Sequence, residues 1–461
     1  MSSTNSVNEP PNRTEFPIYS ATKEPFDWHN AMPWLIIFRA LSAASRPTVV
    51  ILALLGCLFS PLGYWIGEYL FIGESVREAA DYNPVEFQLY RSPYRKVFPE
   101  TPGSSAGIVF LGYRLLGLDL IYQQHIDGPI RLMGRDIGIR RFTYHLFGWI
   151  WSITVWVFVA TCISRIAAMK LAKNEMISMD EAVTYGRRKF VAAYTGILIP
   201  IFGVCVLAIP LALTGLIMKL DVGLFIASFF WIFALLLGLL MMVLLFGLLL
   251  AWPLIIASVA TENQDSFDAM SRSFAYAYRR LPHYLWYAIV ALVFGGVVWA
   301  ITHKFTEGVI HLAYWSSSFG IEFAGGDPKR QLADVDSFFL ASQADANDGD
   351  LSWFFVAGKQ IIGYWDAFAR TIGAAFFHGF FWCVASAIYL LLRRDLDEID
   401  LCEVSLFPKG DIDDLPELEI DEDGIPQIRD NLPGSQSEAE PNDDATANRQ
   451  DTEGDNNRDL R

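Results

Sequence analysis

Two short charged stretches interrupt the apolar runs of this chain, and they hold most of the side chains able to do polar chemistry. In SMDEAVTYGRRKF, Ser178 and Glu181 have the S-x-x-E spacing of a capping box. Such a pair satisfies two orphan backbone N–H groups at a helix start. Arg187, Arg188 and Lys189 then fall in the predicted last turn, where the helix dipole favours cations. DSFDAMSRSFAYAYRRLP follows the same plan. Asp265 or Ser266 can cap, and Asp268 and Arg272 form an i,i+4 acid-to-base pair. Phe267, Met270, Phe274 and Leu281 line one face, Arg279 and Arg280 close the helix, and Pro282 stops it. The shared series are Glu175, Ser178, Glu181, Arg187, Arg188 and Glu262, Ser266, Asp268, Arg279, Arg280. They run in the same direction and read as a parallel repeat. Loops between spans are often basic and amphipathic, which explains the arginines but not the paired caps.

Motifs for enzymatic chemistry are missing. There is no HExxH, CxxC, P-loop or GxSxG pattern, so neither a cofactor nor a metal is expected, and the chain does not read as an enzyme. The seven histidines are scattered; His303 and His311, eight residues apart, lack a metal-ligand spacing. Cys57, Cys162, Cys205 and Cys383 fall in apolar runs as reduced packing residues, and Cys402 could be acylated. Intramembrane ionisable residues are candidates by default. Glu68 and Arg165 sit near span ends, where snorkelling suffices. That leaves His378, in GAAFFHGFFW, near the middle of an apolar run. It is expected to bond a neighbouring carbonyl, with Gly373 and Gly379 permitting close helix approach. No basic face suggests a nucleic-acid partner.

The elements that must position these residues are membrane spans. The chain has 461 residues, 53% of them hydrophobic, in blocks rather than at period 2 or 3.6. A span needs about 20 apolar residues, and six runs qualify: 48–71, 145–167, 190–218, 223–258, 283–302 and 370–392. The fourth lacks any charge for 40 positions between Asp221 and Glu262 and reads as one long tilted helix bent at Pro253. Pro200 and Pro210 in the third run could break it to form a substrate site, although membrane helices also tolerate proline. Residues 1–47 form a polar tail ending in an interfacial helix from Met32 to Pro47, with no signal peptide. Residues 168–189 and 259–282 are the two amphipathic interfacial helices. Residues 72–144 and 303–369 are the outer loops, the latter acidic. Within the first, AGIVFLGYRLLGLDLIY reads as an interfacial or bundle-packed helix.

Basic residues at Lys170, Lys173, Arg187–Lys189, Arg272, Arg279–Arg280 and Arg393–Arg394 place both termini and both charged helices in the cytosol. The nine Lys/Arg of 72–144 dissent, in a loop long enough to weaken the rule. The formal charge of −16 lies in the tail: from Asp395 onward 22 acids face 5 bases, a net of −17, leaving +1 for the rest. Residues 393–461 therefore read as a disordered acidic cytosolic tail.

TENQDSFDAMSRSFAYAYRRLPHYLWY, SRIAAMKLAKNEMISMDEAVTYGRRKF and IYLLLRRDLDEIDLCEV resemble an uncharacterised family of planctomycete multi-pass proteins, over most of residues 140–405. More distantly, the E…DA…RS arrangement after a span is similar to YciC-like and other unassigned bacterial membrane families. The resemblance implies a topology and brings no assigned reaction. The expectation is an all-α polytopic transmembrane helix bundle of a bacterial inner membrane. Its expected role is a non-enzymatic scaffold or regulator of a membrane complex. Its partners would be the lipid bilayer and other membrane proteins or a second copy. The alternative is a transporter or permease for an apolar or lipidic substrate.

Overall fold

The computed structural model describes residues 32–71, 117–132, 138–326, 353–401, 404, 418–420 and 426–428. Helices dominate because a chain this apolar must satisfy its backbone N–H and C=O groups internally. The elements are α1 (Ile36–Ala44, after a 3₁₀ turn Pro33–Leu35), α2 (Pro47–Phe71), α3 (Ile139–Ala172), α4 (Met179–Ile217), α5 (Asp221–Phe229), α6 (Trp231–Glu262), α7 (Ser266–Arg279), α8 (Leu281–Phe323) and α9 (Trp353–Asp397). Six of them, α2, α3, α4, α6, α8 and α9, are long and apolar enough to cross a membrane. The protein is an all-α polytopic bundle. In a separate C-terminal unit, Leu418–Ile420 pairs antiparallel with Pro426–Ile428 inside the stretch expected to be disordered. The start of that stretch is ordered too, because α9 runs on to Asp397 and Arg393 bonds the Asp400 carbonyl; the remainder of the expectation lies outside the described residues.

The long helices run further than the apolar runs. The first charged helix is not separate from the third span: α4 is continuous from Met179 to Ile217 and passes through both Pro200 and Pro210. Only the second charged helix, α7, stands alone. The fourth run is divided instead. It breaks at Phe230 (φ −97°, ψ 7°) into α5 and α6, and α6 continues through Pro253 to Glu262. Residues 303–323, expected as outer loop, are a helical extension of α8, whereas the aromatic stretch LSWFFVAGKQIIGYWDAF suits a helix leading into the sixth span, and 353–369 do continue into α9. Arg370 bridges to Glu307 at 2.8 Å, and the Tyr314 hydroxyl donates to Asp366 at 2.6 Å, fastening these extensions together.

The core surrounds the C-terminal half of α9. Trp382, Tyr389, Leu390 and Leu391 are fully buried there, walled by the inner parts of α3 and α6 and by α1. Helix α1 is not simply a surface helix. Ile37, Ala40, Ala43 and Ala44 are buried, and the Phe38 ring lies 4.6 Å from Phe294 of α8. Gly379 allows α2 to approach α9: a Cβ there would stand 2.9 Å from Val49 Cγ1. The outer part of α6, by contrast, is bare on most sides. Along α8, Leu285, Ile289, Val293, Val297, Ile301, Phe305, Val309, Leu312, Trp315, Phe319 and Phe323 make one exposed apolar stripe.

Within the 72–144 loop, the described end of AGIVFLGYRLLGLDLIY does pack in the bundle, as a turn Leu118–Ile121, and a π-helical turn Tyr122–Ile126 and a helix Asp127–Leu132, which the sequence did not mark, carry the insertion on. Gly117 enters this segment with φ +69°, where its missing side chain leaves room for Phe377 and Trp299. Leu120 and Ile121 are buried, and the His125 ring reaches Trp156 of α3 and Trp382 of α9.

Candidate functional site

The charged residues converge at one end of the bundle, on the C-terminus of α6. Four carbonyls at a helix end lack intrahelical partners and carry partial negative charge. Here other helices supply the donors. Arg165 of α3, buried rather than snorkelling, donates from Nη1 to the Ala260 carbonyl at 3.0 Å and lies 4.4 Å over the Tyr185 ring. The Tyr185 hydroxyl donates to the Val259 carbonyl at 2.6 Å, and Lys189 Nζ to the Asn263 carbonyl at 2.8 Å. Asn263 takes the left-handed conformation (φ 59°) that ends the helix, as Asn174 does after α3 (φ 56°).

Glu262, the last residue of α6, is the centre. Its Oε2 accepts from Arg272 Nη1 at 2.6 Å and from Gln264 Nε2. Its Oε1 accepts from the Tyr389 hydroxyl at 2.9 Å and faces Arg393 Nη1 at 3.4 Å. Arg393 Nη2 donates to the Asp400 carbonyl at 3.0 Å. Nearby, the Tyr276 hydroxyl donates to Asp397, whose carboxylate lies 4.0 Å from Arg272. Tyr287 donates to Asp395 at 2.7 Å. Burial opposes the Arg272 charge, but the carboxylates of Glu262 and Asp397 outweigh it and hold the guanidinium above its ordinary range. Burial, then the bond to Asp397, raises the Tyr276 phenol, which therefore remains a donor at neutral pH. Glu262 and Asp397 balance Arg272 and Arg393 in charge. Both oxygens of Glu262 are already engaged, so the group ties α6, α7 and α9 together and leaves no lone pair poised as a general base.

No family model, curated protein or solved structure matches this chain. The site therefore stands on its own geometry.

The sequence-derived candidates divide. Ser178 and Glu181 form the expected capping box, at 3.2 and 3.1 Å. Asp265 occupies the N-cap position of α7 but makes no side-chain cap bond, and Ser266 Oγ instead meets Thr195 Oγ1 at 2.5 Å. The paired caps behind the repeat are thus not both made, whereas the two left-handed asparagines are a shared mark the repeat reading did not use. Arg272 bonds Glu262, not Asp268, because a half-buried acceptor at the helix junction outcompetes an exposed i,i+4 partner. Arg187 and Arg188 are exposed on a continuing helix, so they do not close one. Arg279 and Arg280 do sit at the joint between α7 and α8, with Pro282 in the first turn of α8. His378 is fully buried and bonds no carbonyl. Tyr389, Arg393, Tyr185, Asp397 and His125 were not singled out for this chemistry. They lie far from Glu262 or His378 in sequence, and no spacing rule connects them.

Proposed function

We propose that this is a multi-pass protein of a bacterial inner membrane, with both termini cytosolic, acting as a non-enzymatic scaffold or regulator of a membrane complex. The observation that carries the reading is the internally satisfied Glu262 network beneath a partly unoccupied helix. α7 is anchored by Arg272, Tyr276 and the buried Ala269 and Ala277, while Phe267 on its other side is 64% exposed beside exposed Asp265 and Asp268. A rigidly held helix that keeps a large aromatic side chain and two acids outside is suited to contact another protein. The unbroken course of α4 through Pro200 and Pro210 supports this reading over a substrate site built on a broken helix.

The test uses a photo-crosslinking amino acid at Phe267 or Ser271 in the native membrane. A discrete adduct at 267, absent when the probe is placed at the buried Ala269, is the expected result. A chain that purifies alone with no adduct at either exposed position rejects the scaffold. Orientation is checked separately. A reporter fused at position 305 should be external in the parent and partly retained inside after Arg279 and Arg280 are replaced by alanine. A fully external reporter in both removes these arginines as topology signals.

A further inference from the structure

The bundle interior holds polar atoms that the Glu262 network does not reach. Neither ring nitrogen of the fully buried His378 has a hydrogen-bond partner. The inserted segment brings the His125 ring to 5.8 Å from the His378 ring, centre to centre, with the planes at 78°. His125 Nε2 is buried without a partner as well. The element that delivers it is a π-helical turn, a conformation found frequently at functional sites. A neutral imidazole carries one N–H and one lone pair. With both nitrogens of His378 unengaged, a lone pair is available in either tautomer. Leaving such groups unmet costs about 1–3 kcal/mol each, and here they meet from two separate elements.

We propose that His125 and His378 bind one soft monovalent cation, Cu(I), as a two-coordinate bis-imidazole site. Metal–nitrogen bonds of about 2 Å, with each ring centre about 1 Å further out, put the two centres roughly 6 Å apart. The observed separation is 5.8 Å. Zinc would demand three or four ligands, and among the described residues no group of three His, Cys, Asp or Glu side chains converges. A single positive charge also costs far less to bury than a double one, because the desolvation energy grows with the square of the charge. Aromatic rings supply the remaining surroundings. Trp156 lies 4.9 Å from His378, and Trp252 and Trp382 lie 5.0 and 5.8 Å from His125. Their faces attract a cation and exclude water, and imidazole suits copper. Each ring donates its lone pair and keeps its N–H, so binding moves no proton and no electron.

The full chain in lipid nanodiscs, titrated anaerobically with Cu(I) against a competing chelator, tests this. The expected result is one copper per chain and quenched tryptophan fluorescence. X-ray absorption should show two nitrogen neighbours at about 2 Å. H125Q and H378Q should each weaken binding at least 100-fold with unchanged helicity and elution, while H303Q should bind as the parent does. Should H378Q fail to fold, H125Q and the absorption spectrum of the parent decide. A parent chain that loses copper to the chelator, a H125Q/H378Q chain that binds equally well, or sulfur in the coordination shell overturns the site.

Discussion

Replacing Glu262 by alanine is expected to destabilise the bundle by about 3–5 kcal/mol, the range for removing one partner of a buried ion pair. The weight of the effect falls on Arg393, whose side chain is 2% exposed, rather than on Arg272, at 41%. Arg272 regains water when Glu262 is lost, and its share should stay under about 1 kcal/mol. Arg393 keeps its bond to the Asp400 carbonyl but loses the Glu262 carboxylate beside it. A double-mutant cycle separates the two: Glu262 coupled to Arg393 should exceed Glu262 coupled to Arg272. Unfolding measured in one fixed lipid or detergent is the assay. A Glu262→Gln protein within about 0.5 kcal/mol of the parent, the range of an ordinary surface substitution, would show that the charge is not what joins α6 to α9.

Trp382→Ala should cost a comparable amount, about 3–5 kcal/mol for a fully buried indole. Trp382 has no exposed surface and touches Trp252 and Phe381, each at 5.2 Å between ring centres. Trp365→Ala on the same helix should cost under about 1 kcal/mol, because Trp365 is 68% exposed. Equal losses at the two positions would contradict the placement of the core on the inner half of α9.

That pair of tryptophans also marks the limit of what the sequence discloses. Spans are legible because a bilayer demands about 20 apolar residues whatever they pack against. Which face of a span meets protein is a different question, and lipid and protein interior are nearly equally apolar. The sequence separates GYW at 363–365, before the span, from FFW at 380–382, inside it, but nothing in FFW says whether Trp382 faces protein or lipid. Local chemistry was legible where it closes over a few residues, as in the Ser178–Glu181 box. It was misread at Asp268–Arg272, where an acceptor ten residues away in sequence, Glu262, wins the guanidinium. Glu262 itself was marked by its place at a span end, but Tyr389 and Arg393, 127 and 131 residues further on, carry no local sign of the contact. His125 was hidden more deeply, since the loop holding it resembles an outer connection and its approach to the bundle depends on the turn at Gly117.

The apolar stripe along α8 bears on the membrane itself. From Leu285 to Phe323 it covers 38 residue steps, about 57 Å at 1.5 Å per step, against roughly 30 Å of hydrocarbon. Acyl chains along this face thus meet an apolar surface roughly twice as long as the hydrocarbon is thick, a mismatch costing fractions of a kcal/mol for every ångström. A bilayer of ordinary thickness cannot cover it with α8 upright, so the annulus beside α8 is expected to be thickened and α8 itself tilted.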